Sequence, residues 1–102
     1  MIIKKQFLKN RPVCKVTFGL PGEMINDAAS AYLVGEFNNW ALNATPMKKL
    51  KDGSFTVTVD LEKGREYQFR YLINQTQWEN ASNADKYVPT PFGDAENSVI
   101  VV

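Results

Sequence analysis

Two tryptophans and a scattered set of planar polar side chains are the residues of this sequence best suited to chemistry at a surface. Trp40 ends the stretch Val34-Gly35-Glu36-Phe37-Asn38-Asn39-Trp40, and Trp78 is the other indole. Asparagine favours turns and left-handed backbone, so Asn38-Asn39 sets Trp40 on a loop rather than inside a strand. A ring there is either a lid on the core or a platform for a ligand. Pyranose rings present apolar C–H patches with hydroxyls at the rim. Recognising them takes flat aromatic faces and planar groups that donate and accept hydrogen bonds. Trp40, Trp78, Arg70, Asn38, Asn39, Asn74, Gln77 and Asn97 make up such a set. Burial at the ends of the fold is the competing use of both tryptophans, and a lone arginine on a sheet is commonly just solvated.

The elements that must position these residues alternate with period two. Cys14, Val16 and Phe18 fall on one side of a run from Val13 to Phe18. From Ser54 to Leu61, Phe55, Val57, Val59 and Leu61 oppose Thr56, Thr58 and Asp60. From Tyr67 to Asn74, Tyr67, Phe69, Tyr71 and Ile73 oppose Gln68, Arg70, Leu72 and Asn74, which turns Arg70 away from the aromatic face. Such runs are half-buried antiparallel strands. Weaker strand signals cover Ile2 to Leu8, Ala31 to Phe37, Met47 to Leu50 and Ser98 to Val102. Turn chemistry separates them, and Asp52-Gly53 predicts a type I′ hairpin. Residues 23–31 could form one helical turn, and Asn80 to Asp94 reads as a long irregular loop. Short strands at this spacing predict an all-β, immunoglobulin-like antiparallel sandwich of about seven strands, formed by residues 1–102 as a single domain.

Composition removes several function classes. The sequence contains no histidine, hence neither a Ser-His-Asp nor a Cys-His mechanism, and with one cysteine a structural zinc site is not expected. Twelve basic against eleven acidic side chains give no electrostatic pull on nucleic acid or anionic membrane. No apolar run is long enough to cross a bilayer, no export signal is evident, and the single Cys14 suits a reducing compartment. The expectation is therefore a cytoplasmic protein that needs no cofactor or metal.

Taken together, Gly35-Glu36-Phe37-Asn38-Asn39-Trp40, Asp52-Gly53-Ser54-Phe55, Tyr67-Gln68-Phe69-Arg70-Tyr71, Trp78 and Asn83-Ala84-Asp85-Lys86-Tyr87-Val88-Pro89 resemble the isoamylase N-terminal early-set domain. This is the family-48 carbohydrate-binding module, which includes the glycogen-binding domain of the AMP-activated kinase β subunit. The resemblance runs from about Cys14 to Val102. It implies a sandwich that binds α-1,4-glucans, with Trp40 and Trp78 matching the two rings that stack on successive glucose units. Arg70 stands where the family usually has a hydroxyl-binding lysine, and Phe92 where it has a leucine that threads a glucan ring. Asn97 matches the asparagine before the last strand once an extra residue is allowed between Phe92 and Glu96. Asn74 is a further candidate for holding hydroxyls. The implied partners are an α-glucan and, in some members, a separate glycan-active enzyme of the glycoside hydrolase family 13 type or another protein subunit.

Intrinsic catalysis is not expected. Glycoside hydrolysis needs two carboxylates facing across a cleft, and Glu36, Glu62, Glu66, Glu79, Asp85 and Asp94 are scattered with no motif joining any two. The other class is a protein-interaction or packing module that uses an exposed edge strand or the apolar N-terminal residues Ile2, Ile3, Phe7 and Leu8. Burial of both tryptophans would favour that class, whereas their exposure around a shared groove would favour glucan binding.

Overall fold

The computed structural model describes residues 2–24, 28–90 and 95–102. The described residues form nine strands: β1 (Ile2–Phe7), β2 (Val13–Leu20), β3 (Ala31–Gly35), β4 (Lys48–Lys49), β5 (Phe55–Glu62), β6 (Glu66–Ile73), β7 (Gln77–Glu79), β8 (Lys86–Pro89) and β9 (Glu96–Val101). One sheet has the order β1-β2-β5-β4 and the other β3-β6-β9-β8, with β7 also paired to β6. All the pairings are antiparallel. The expected antiparallel sandwich is present, with nine strands rather than about seven. The two added strands are β7 and β8, and β8 lies inside the stretch expected to be irregular.

The alternation read from the sequence is the alternation that packs. Cys14, Val16 and Phe18 of β2 and Phe69, Tyr71 and Ile73 of β6 are buried in one core cluster with Leu33, Phe55, Leu61 and Ile100. Its aromatic centre is the edge-on contact of Phe18 with Phe69, ring centroids 5.1 Å apart, which Phe69 extends to Tyr71 at 5.8 Å. Tyr71 shows the cost of filling a core with a phenol. Its hydroxyl is buried without a hydrogen-bond partner among the described residues, and burial pushes its pKa well above the ordinary range. An unpaired buried hydroxyl is destabilising. Tyr71→Phe is therefore expected to raise stability by about 1 kcal/mol, read as a higher denaturation midpoint at unchanged slope; a lower midpoint would mean the hydroxyl is paired in solution.

A second contact ties the two sheets at their edges. Asp85 Oδ2 accepts hydrogen bonds from Lys5 Nζ of β1 and from the Val101 main-chain N–H of β9, each at 2.7 Å. Burial pushes the Asp85 carboxyl up, but the Lys5 hydrogen bond, the Val101 N–H and the lysine charge outweigh it, leaving the carboxyl below its usual range. A carboxylate depressed by folding contributes stability above its unfolded pKa, near 3.9, and loses that contribution as pH falls through the folded value. Wild type should thus lose more stability than Asp85→Asn as pH is lowered from about 5 to below 4. Parallel acid unfolding curves would contradict this.

Turn chemistry differs from expectation at one hairpin. In the loop from Leu50 to Ser54 only Gly53 takes a positive φ, at 87°, with Gly53 N–H bonded to Leu50 O and Leu50 N–H to Ser54 O. A type I′ turn needs two positive φ angles, so this is a three-residue loop with the glycine in a bulge. Between β6 and β7 two successive residues, Asn74 and Gln75, take positive φ instead, 53° and 60°. The turn expected within 23–31 appears as a single 3-10 turn at Gly22–Met24, and residues 25–27 lie outside the described ones.

Candidate functional site

The site lies on the outer face of the β3-β6-β9-β8 sheet, and the β6 register explains why. Val34 pairs with Arg70, Tyr32 and Trp78 both pair with Leu72, and Gln68 pairs with Val99, so all of these share the face opposite Phe69 and Tyr71. β3 takes one edge of β6 and β7 continues along the other edge beyond β9. This face is not simply polar. Val34, Leu72 and Val99 are buried on it, outside the main core cluster. The alternation alone had grouped Leu72 with solvated residues; its direct cross-strand neighbours Tyr32 and Trp78 account for its burial.

Trp40 reaches the face from the loop after β3. Glu36–Asn38 is a 3-10 turn, after which Asn39 and Trp40 both take left-handed backbone, φ 56° and 58°. Positive φ is a genuine outlier for a residue as bulky as tryptophan. Hydrogen bonds hold the loop in place: Trp40 N–H donates to Gly35 O at 2.8 Å, and Asn38 Oδ1 accepts the Gly35 N–H. Asn38 Nδ2 donates to Leu33 O and Thr45 Oγ1, so this amide braces the loop from within.

Trp40 and Trp78 are 37% and 42% exposed, and both line one open groove of about 450 Å³ together with Glu36, Gln68, Arg70, Thr90, Ala95 and Asn97. A ladder of planar groups crosses this groove from β6 to β9. Arg70 Nε donates to Asn97 Oδ1 at 2.7 Å and Arg70 Nη2 to Glu96 O at 2.9 Å. Asn97 Nδ2 donates to Gln68 Oε1 at 2.9 Å. These bonds fix the planes of the guanidinium and both amides while leaving Arg70 and Gln68 N–H groups to spare. The result is two aromatic plates beside a rigid, donor-rich polar strip.

Of the residues singled out in the sequence, Trp40, Trp78, Arg70 and Asn97 come together. Asn74 does not line the groove and is corrected to a structural role. It sits in the β6–β7 reversal, where its Oδ1 accepts the Ala29 and Ser30 N–H groups at 2.8 and 3.3 Å and secures the entry to β3. Gln77 Nε2 is engaged by Glu79. Phe92 lies outside the described residues. Sequence reasoning missed Gln68 and Glu36 as groove residues. Gln68 could have been found from the alternation that placed it beside Arg70. Among the described residues no group of three or more His, Cys, Asp or Glu side chains could hold a metal ion.

A family model of the glycogen recognition site of AMP-activated protein kinase matches residues 24–102, from the end of the Gly22–Met24 turn through β9. The chain belongs to that family. Every groove residue named above falls inside the matched span, while β1 and β2 precede it. Membership in this glycogen-recognition family makes the chain a non-catalytic module of carbohydrate-binding type. No curated protein matches the sequence.

Proposed function

We propose that the chain binds α-1,4-linked glucans of the glycogen and starch type by stacking glucose rings on Trp40 and Trp78. Arg70 and Asn97 hold the sugar hydroxyls. The observation that carries this reading is the convergence of two half-exposed indoles and a pre-aligned guanidinium–amide ladder on one open groove. Half-exposed rings around a groove also weigh against the packing-module alternative, which calls for buried tryptophans. Pre-aligned donors lower the ordering cost of binding, but an open surface gives modest affinity, Kd of about 0.01–1 mM or roughly 4–7 kcal/mol. The ligand is neutral, so binding should change little with salt. Such a module would hold a separate glycan-active enzyme, of the glycoside hydrolase family 13 type, against a polysaccharide in the cytoplasm.

The test is a titration of tryptophan fluorescence with maltoheptaose and β-cyclodextrin, with cellohexaose as the control. A saturable change with the α-glucans alone is expected. Silence up to about 10 mM, beyond the weak limit above, with no heat by calorimetry, would reject the reading.

A further inference from the structure

Among the groove residues without a part in the stacking scheme are Glu36 and Gln68. Glu36 opens the 3-10 turn after β3, and its Oε1 accepts the Gln68 main-chain N–H at 2.6 Å, which pins the carboxylate to β6. The Gln68 side chain is pinned separately, because its Oε1 accepts from Asn97 Nδ2, whose own Oδ1 is committed to Arg70. Among the described residues each group is therefore held by one end and open at the other. Glu36 keeps a carboxylate oxygen that can only accept, and Gln68 keeps an amide nitrogen that can only donate.

Neutral sugar hydroxyls suit both groups, since a hydroxyl can donate to the carboxylate and accept from the amide. A phosphate monoester ionised at neutral pH has oxygens that mainly accept; it would face Glu36 without a proton to share and with like charge against it. We infer that Glu36 and Gln68 form a hydroxyl-specific subsite that admits neutral glucose units and disfavours units bearing an anionic substituent. The inference rests on the glucan-binding reading and adds to it a selectivity that the stacking rings lack. Arg70 by itself would predict the reverse, since a guanidinium is a good phosphate ligand; the Glu36 carboxylate decides the sign.

The experiment is calorimetry with maltoheptaose and with a maltoheptaose carrying one 6-phosphate, on wild type, Glu36→Gln, Gln68→Ala and Trp40→Ala. Glu36→Gln keeps a carbonyl oxygen to accept the Gln68 N–H, so the turn should stay intact, and circular dichroism checks each variant. Wild type is expected to prefer the neutral sugar by about tenfold or more, and Glu36→Gln to shrink that preference to about threefold or less, as removal of one repelling charge implies. Gln68→Ala should weaken neutral binding by about fivefold, the loss of one hydrogen bond. Unchanged preference in Glu36→Gln, or preference for the phosphorylated sugar in wild type, overturns the subsite. If Trp40→Ala still loses binding in that case, the stacking site survives. If wild type binds neither sugar, the glucan reading falls and the subsite falls with it.

Discussion

Replacing Trp40 and Trp78 together by alanine is expected to abolish α-glucan binding and leave the fold standing. Burying about 80 Å² of apolar surface at each ring contributes on the order of 2 kcal/mol at 25 cal/mol per Å². Losing both rings removes about 4 kcal/mol, close to a thousandfold in Kd. A site that binds at about 0.1 mM would then need about 0.1 M sugar, beyond detection. The fold should survive because neither ring belongs to the core cluster, which is built from Phe18, Phe55, Phe69, Tyr71 and their aliphatic neighbours. The double variant contains no tryptophan, so calorimetry or retardation in a glycogen-containing gel must replace fluorescence. Retained binding by a folded double variant would reject the site.

The second large effect is on stability, and it comes from a residue without a side chain. A Cβ at Gly35 would lie 2.6 Å from Gln68 O, 2.8 Å from Phe69 Cβ and 3.0 Å from the Phe37 ring. Its φ of −171° is ordinary extended backbone, so the requirement is for space rather than for an unusual conformation. Two of those neighbours cannot give way easily, being β6 backbone and a side-chain carbon next to it. Gly35→Ala is expected to cost about 3 kcal/mol, the upper end for overpacking, and to lower Tm by roughly 12–24 °C. Gly64→Ala is the control. Its Cβ would meet nothing within 4 Å, and it carries only the penalty of φ 78°, about 1–2 kcal/mol. Equal losses for the two variants would contradict the steric account. The wedge at Gly35 also positions the site, since Gly35 O anchors Trp40 and the following residue is Glu36.

Much of the fold was legible because long strands over a core repeat every second residue, as Cys14, Val16 and Phe18 do. β7 and β8 were not legible for a physical reason. Gln77-Trp78-Glu79 and Lys86-Tyr87-Val88-Pro89 are short, charged and mostly exposed, and they are strands through backbone pairing to β6 and β9. Leu72 was misjudged because alternation assumes one dry face, whereas the outer face here carries its own small apolar layer with Val34 and Val99. In the site, tryptophans and an arginine stood out by type alone, but the asparagines did not sort themselves. Asn38, Asn74 and Asn97 are equally plausible sugar ligands on paper. Backbone geometry divides them: Asn38 closes a 3-10 turn, Asn74 fastens a reversal, and Asn97 alone sits on the strand beside Arg70. Glu36 stood only among scattered acids because the turn that presents it has no periodic signature.

The left-handed backbone at Trp40 has a consequence for how this surface can be lost over generations. A non-glycine residue in that conformation carries roughly 1–2 kcal/mol of local penalty, which alanine, serine or arginine would inherit while giving up the ring. Glycine would remove the penalty, and TGG becomes GGG by a single base change. A lineage released from selection for sugar would therefore have a one-step route to an unstrained backbone at codon 40, and glycine after the Asn-Asn pair would mark a descendant that kept the sandwich and abandoned the ligand.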